Sequence, residues 1–212
     1  ENPPAAPTGG PEQAVRALML TGLKHALTVR EFWFDLAISF IGLGVFNGLT
    51  TWVESMIRPR GFSPTDAGLL GALMLAGGVV GAVALPLLSD RQRRRQRYLM
   101  LAFVGAIPGL IGLTFAASAG LLFASAVVTG FFLVSALPIG MQYGAEVTQP
   151  TPEGTSNGLI QLFGQASVVF VYIMEALKSA DGSFTPALLL AIGLLGVSAL
   201  LVTQMKDPAP QR

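Results

Sequence analysis

The sequence predicts an all-α membrane protein with six membrane-crossing helices, and three observations carry that prediction. Only 12% of the 212 residues are charged, against roughly 25% in a soluble domain. Apolar residues make up 52% and the mean hydropathy is +0.62. The charges also leave long gaps: Asp35 to Glu54, Asp66 to Asp90, Arg97 to Glu146, Glu153 to Glu175, and Asp181 to Lys206. A helix needs about 20 apolar residues to cross a hydrocarbon core of about 30 Å. Four gaps fit one crossing each. The gap from Arg97 to Glu146 is too long for one and must fold back, with the turn expected at Ala117-Ser118-Ala119-Gly120, its smallest and most flexible stretch.

Taken in order, residues 1–32 form a leader. Glu1–Gly10 is rich in Pro and Gly and reads as a linker, which leads us to expect a chain continuing from a larger protein. Residues 11–31 set Leu18, Leu20, Leu23, Leu27 and Val29 among Arg16, Lys24, His25 and Arg30, a short basic amphipathic helix suited to a membrane surface or to packing on loops. The bundle occupies 33–205, with spans expected at about 34–57, 67–88, 98–117, 121–143, 158–177 and 186–203. A tail, 206–212, follows. Ten of the 13 Lys and Arg residues lie on the side of the leader, the loop after the second span, and the tail. Arg58, Arg60 and Lys178 lie on the other side. Positive charge stays inside, so both ends are expected in the cytoplasm, with the bundle in the cell (inner) membrane.

The spans differ in character. The third and sixth are nearly free of polar groups and are expected to face lipid. The second carries Gly68, Gly71, Gly77, Gly78 and Gly81, a small-residue pattern that admits close helix packing or a sliding surface. The fourth carries Pro138 and Gly140, a flexing point or a static kink.

Polar residues within the spans narrow the function. Composition first removes several classes: there is no Cys, His25 is the only His, and net charge is +1. No thiolate or multi-His metal site, no cofactor, no catalytic cluster and no nucleic-acid partner is expected. On the first span Asn47, Thr50, Thr51 and Glu54 share one helical face. On the fifth, Gln161, Gln165, Tyr172 and Glu175 do the same. Both stripes are expected to line one water-filled path. Asn47, Thr50, Gln161 and Gln165 are the candidates for binding solute. Glu54, Tyr172 and Glu175 lie toward the outer end, as coupling or outer-gate residues, Glu54 being the acid expected to take up and release a proton. At the inner end Asp90, Arg91 and Arg94 are candidates for a cytoplasmic gate. An Asp at a helix C-terminus opposes the helix dipole and calls for a cationic or helix-N-terminal partner.

The charged loop Pro86-Leu87-Leu88-Ser89-Asp90-Arg91-Gln92-Arg93-Arg94-Arg95, placed after the second of six spans, resembles the Gly-x-x-x-Asp-Arg-x-Gly-Arg-Arg loop of the major facilitator superfamily, with Pro86 and Arg93 at the glycine positions. The whole pattern resembles the C-terminal half of such a transporter. Gly44-Val45-Phe46-Asn47-Gly48-Leu49-Thr50-Thr51, together with Glu146-Val147-Thr148-Gln149-Pro150 and Glu153-Gly154-Thr155-Ser156-Asn157-Gly158-Leu159, is similar to the feline leukaemia virus subgroup C receptor-like branch. The resemblance implies a half-transporter fold whose first, second, fourth and fifth helices face a central cavity. It implies alternating access for a small polar solute, with an N-terminal six-helix half as partner. It also implies that Gln165 contributes to the cavity, and that Asn47 stands where choline-carrying members have an aromatic residue. A non-transporting accessory subunit with the same half-fold is the alternative.

Overall fold

The computed structural model describes residues 11–207. The expected linker 1–10 and the end of the tail, including Arg212, lie outside the described residues. Eight α-helices follow: α1 (Pro11–Ala26), α2 (Arg30–Ile57), α3 (Pro64–Gln92), α4 (Arg95–Phe115), α5 (Ala119–Val147), α6 (Glu153–Ala166), α7 (Val169–Ala176) and α8 (Thr185–Gln204). Counting α6 and α7 as one, six segments are long and apolar enough to cross a membrane.

Local chemistry sets the helix starts. Ser63 and Asp66 form a reciprocal capping box at α3, the Ser63 hydroxyl accepting the Asp66 N–H at 3.2 Å and the Asp66 carboxylate accepting the Ser63 N–H at 2.8 Å. Ser118 caps α5 by accepting the N–H of Leu121. The turn between α4 and α5 occupies Ala116–Ser118, overlapping the expected fold-back at Ala117 and Ser118, while Ala119 and Gly120 already belong to α5.

The helix α5 is the hub, packing on α2, α3, α4 and α6. Its contact with α3 shows what the glycines do. A Cβ on Gly77 or Gly81 would meet the carbonyl oxygen of Val127 or Phe131, and one on Gly130 would meet that of Met74. The two backbones touch, so this face is a close-packed seam. Gly68 and Gly71 have no neighbour there. The helix α4, expected to face lipid, does so with one side only. Leu101, Val104, Ile111 and Phe115 are exposed, while Leu99, Ala102, Phe103, Ala106 and Leu110 are buried against α5 and α8.

The fifth span departs from expectation. It is not one helix but two, broken at Ser167–Val168. The Ser167 hydroxyl donates to the Gly164 carbonyl, and the backbone switches to i→i−3 bonds, Ser167 to Gly164 at 3.1 Å and Phe170 to Ser167 at 2.9 Å. A local serine bond and a tightened turn replace the α-helical ladder. Both halves are keyed to α2: Leu43 lies against Gly164, Phe170 fills the notch at Gly44, and Met174 the notch at Gly48. The Trp52 indole N–H donates to the Val171 carbonyl at 2.9 Å.

The helix α1 docks on the α5–α6 connection. Thr151 donates to the Gly22 carbonyl at 3.0 Å, and the His25 imidazole meets the Gln149 carbonyl at 3.2 Å. Its Met19 and Leu20 remain exposed.

Candidate functional site

Two places in the bundle gather polar side chains. The first is the pair of stripes on α2 and α6–α7. Asn47 and Thr50 are half-buried, and Gln161, Gln165, Tyr172 and Glu175 are exposed on the outward surface of α6 and α7. The break at Ser167–Val168 leaves Gln165 in the last turn of α6, where its carbonyl accepts the Val168 N–H at 3.2 Å. Tyr172 and Glu175 belong to the separate helix α7, so the four do not lie on one continuous helix as the sequence spacing implied. Packing brings α2 and α6 together. The Thr50 hydroxyl is spent on the Phe46 carbonyl, at 2.9 Å. Among the described residues the side-chain amides of Asn47, Gln161 and Gln165 make no hydrogen bond. An amide offers two donors and an acceptor, so this face keeps neutral, unused hydrogen-bonding capacity inside an apolar segment.

Glu54 lies one turn below the end of α2. It pairs with Arg58 in an i,i+4 ion pair whose side chains are 47% and 71% exposed, respectively. It is a paired, half-exposed carboxylate, at the position the sequence expects to take up and release a proton.

The second place is the arginine-rich end. Arg91 and Arg94 are exposed. The arginine that holds Asp90 is Arg95, which sequence reasoning did not single out. Its guanidinium is buried, with the side chain 8% exposed. It pairs with Asp90 and with Glu146 at 2.8 Å, and it donates to the Ser89 hydroxyl at 3.3 Å. Gln142 adds a bond to the same Glu146 carboxylate at 3.0 Å. One side chain thus ties the C-terminal end of α3 and the C-terminal end of α5 to the start of α4. Charge-assisted bonds of this kind are stronger than neutral ones. The turn that aims Arg95 inward runs through Arg93, which takes the left-handed conformation at φ 52°. This is the position where the resembling loop has glycine, and an L side chain there is strained.

The motif after α5 is explained by the same end of the molecule. Glu146 answers Arg95, and the Thr148 and Ser156 hydroxyls bond each other at 2.6 Å. The α4 start is closed by Asp207, which accepts the Gln96 N–H at 2.8 Å. Together these elements surround an open basin of about 1160 Å³, lined by Glu31, Asp90, Arg95, Glu146, Lys206 and Asp207 among others. A second, apolar cavity of about 140 Å³ lies between α2, α4 and α5, lined by Ser39, Phe46, Phe103 and Leu137 among others. Pro138 and Gly140 both lie within α5.

The chain matches the Major Facilitator Superfamily over residues 1–172 and 61–212, which together span it. It is 37% identical to an uncharacterised protein of Archaeoglobus fulgidus over 80% of this chain and 77% of that protein. It is 28% identical to solute carrier family 49 member A3 of Danio rerio over 86% of this chain and 40% of that protein. It is 29% identical to the choline/ethanolamine transporter FLVCR2 of Homo sapiens over 67% of this chain and 28% of that protein. The chain therefore spans less than half the length of these two animal relatives. Six apolar helices and these likenesses make it an integral, multi-pass membrane protein, and the chain belongs to the Major Facilitator Superfamily.

Proposed function

We propose that this chain forms the C-terminal half of a secondary transporter that moves a small polar solute by alternating access, against an N-terminal six-helix half. The observation that carries the reading is the outward polar face of α2 and α6: Asn47, Gln161 and Gln165 hold unused amide groups within membrane-crossing segments, where an unpaired polar group is costly. A solute between two halves would use them. The animal relatives whose names denote solute carriage point the same way. Neutral amides suit a polar or zwitterionic solute. Asn47 gives no cation–π surface, so a quaternary ammonium ion is a poorer fit than a solute with hydrogen-bonding groups.

In this reading Glu54, Tyr172 and Glu175 lie at the outer gate, and the Asp90–Arg95–Glu146 cluster, with Arg91 and Arg94 on its rim, closes the inner end. Pro138 and Gly140 allow α5 to bend. The leader and tail are cytoplasmic, following the arginine bias.

The test is uptake of small polar and zwitterionic solutes into proteoliposomes holding the intact protein, with and without an imposed proton gradient. Saturable uptake of one solute class, with affinity weakened severalfold in the Asn47→Ala and Gln165→Ala variants, supports the proposal. Uptake of none of them, or variants indistinguishable from wild type, contradicts it.

A further inference from the structure

Asp35 is fully buried, at 0% exposure. Among the described residues neither of its carboxylate oxygens has a hydrogen-bond partner. Among the described residues no cation pairs with it, the ion pairs involving only Glu54, Asp90 and Glu146. The site is nonetheless shaped around it. The helix α5 presents Gly140 and Gly144 to the carboxylate, and a Cβ on Gly140 would lie 3.0 Å from Oδ1, one on Gly144 2.7 Å from Oδ2. Phe32 of α2 and Ile160 of α6 close the remaining side of the Gly144 niche.

The ionisable groups around it are few. Tyr143 of α5 lies close enough for its phenol to feel the Asp35 charge, as well as those of Glu31 and Asp207. The Tyr143 hydroxyl donates to the Lys206 carbonyl, at 3.0 Å, and not to Asp35. Glu31 is one helical turn before Asp35 on α2. Ile160, the α6 contact in the niche, does not titrate.

Position along α2 gives the site its meaning. Glu31, four residues before Asp35, lines the large basin at the arginine-rich end, as does Ala145, next to Gly144. Ser39, four residues after, lines the smaller apolar cavity. Each step is about 6 Å along the helix. Asp35 therefore stands between the large polar basin and the smaller apolar cavity, at the α2–α5 contact. Pro138 lies two residues before Gly140, and having no N–H it leaves α5 without one ladder bond there.

We propose that Asp35 is a proton-binding station, holding a proton while α5 is packed on α2 and releasing it when the two helices part. A lone carboxylate in a fully buried niche is among the costliest groups a fold can hold, and a neutral acid is far cheaper. Parting α5 from α2 admits basin water, and the hydrated acid releases its proton. The step balances simply: as the helices close, a hydronium ion of the basin water gives its proton to a carboxylate oxygen, one O–H bond breaking and one forming, a water molecule departs, and the local charge goes from −1 to zero. As a coupling step it rests on the transport reading above. As a protonation site it does not.

The experiment is infrared spectroscopy of the purified intact protein in buffer at about pH 7, where a solvated aspartate, with a pKa of about 3.9, is ionised. The wild type should show the carbonyl stretch of a protonated carboxylic acid. That band should vanish in Asp35→Asn, shift in frequency in Asp35→Glu, and persist unchanged in Glu54→Gln. If Asp35→Asn does not fold, the shift in Asp35→Glu decides alone. A wild-type spectrum without the band, or a band that neither Asp35 variant alters, overturns the proposal. In proteoliposomes, pH dependence of uptake should be lost in Asp35→Asn. If the wild type carries no solute, the transport reading fails while the infrared result still decides Asp35.

Discussion

Asp35 and Glu54 sit at opposite ends of one helix, and the structure treats them oppositely. Glu54 has a cation one turn away and is 47% exposed. Asp35 has no exposure and, among the described residues, no partner. Counting residues from the span centre predicts the reverse, because Glu54 falls inside the hydrocarbon slab and Asp35 marks its edge. Depth along a helix does not decide how an acid is solvated; the neighbouring helix does. Near Glu54 the chain supplies Arg58. Against Asp35 it supplies Gly140 and Gly144, which make room for a carboxylate and offer it nothing. The acids at the arginine-rich end are a third case, with Asp90 and Glu146 sharing one buried guanidinium.

Substitutions that change a partner or a niche sharpen this comparison. The largest effect belongs to the shared guanidinium. Arg95→Ala removes the partner of two acids at once and should cost about 3 kcal/mol of stability, the scale for breaking a buried pair, read as a lowered thermal midpoint in detergent. Arg91→Ala, on the exposed rim, should change it little. Filling the Asp35 niche comes next: Gly144→Ala places a methyl against Oδ2, Ile160 and Phe32 and should cost about 2 kcal/mol, as overpacking does. Gly158→Ala, with open space at its Cβ, should not destabilise. If the Gly144 and Gly158 variants melt alike, the niche is not tight and the contrast between the two acids weakens.

Arg93→Gly should raise stability, by about 1 kcal/mol, since glycine relieves the left-handed backbone that directs Arg95 inward. An unchanged midpoint would show that Arg93 is not strained. The smallest effect is at the outer end. Glu54→Gln breaks a half-exposed i,i+4 pair and should change stability by no more than about 0.5 kcal/mol. A loss of several times that would place Glu54 with Asp90 and Glu146, and end the comparison.

The fold was legible in the sequence because uncharged gaps measure membrane crossings directly, and the six gaps and half-gaps between Asp35 and Lys206 become six segments. Gly77 and Gly81 were legible as a small-residue seam for the same kind of reason, spacing on one face. The break at Ser167–Val168 was not. It carries neither Pro nor Gly, and arises from a serine bonding its own backbone while Phe170 and Met174 seat on α2. Arg95 was hidden among like neighbours, Arg93 and Arg94, and only the left-handed turn at Arg93 determines which of the three enters the protein. Asp35 was read as the charge that ends a span, since nothing in the local sequence shows two glycines more than a hundred residues later closing over it. Asn47 and Gln165 were picked out because polar residues in apolar spans stand out without any tertiary information.

Those two amides bear the central claim, that α2 and α6 present a solute-binding face. Equilibrium binding of the transported solute to the purified intact protein, compared among wild type, Asn47→Ala and Gln165→Ala, tests it most directly. Each variant should lose about 1 kcal/mol, the scale of one hydrogen bond to a neutral group, or roughly a fivefold weaker affinity. Affinities equal to wild type in both variants would contradict the claim and return the polar face of α2 and α6 to helix packing.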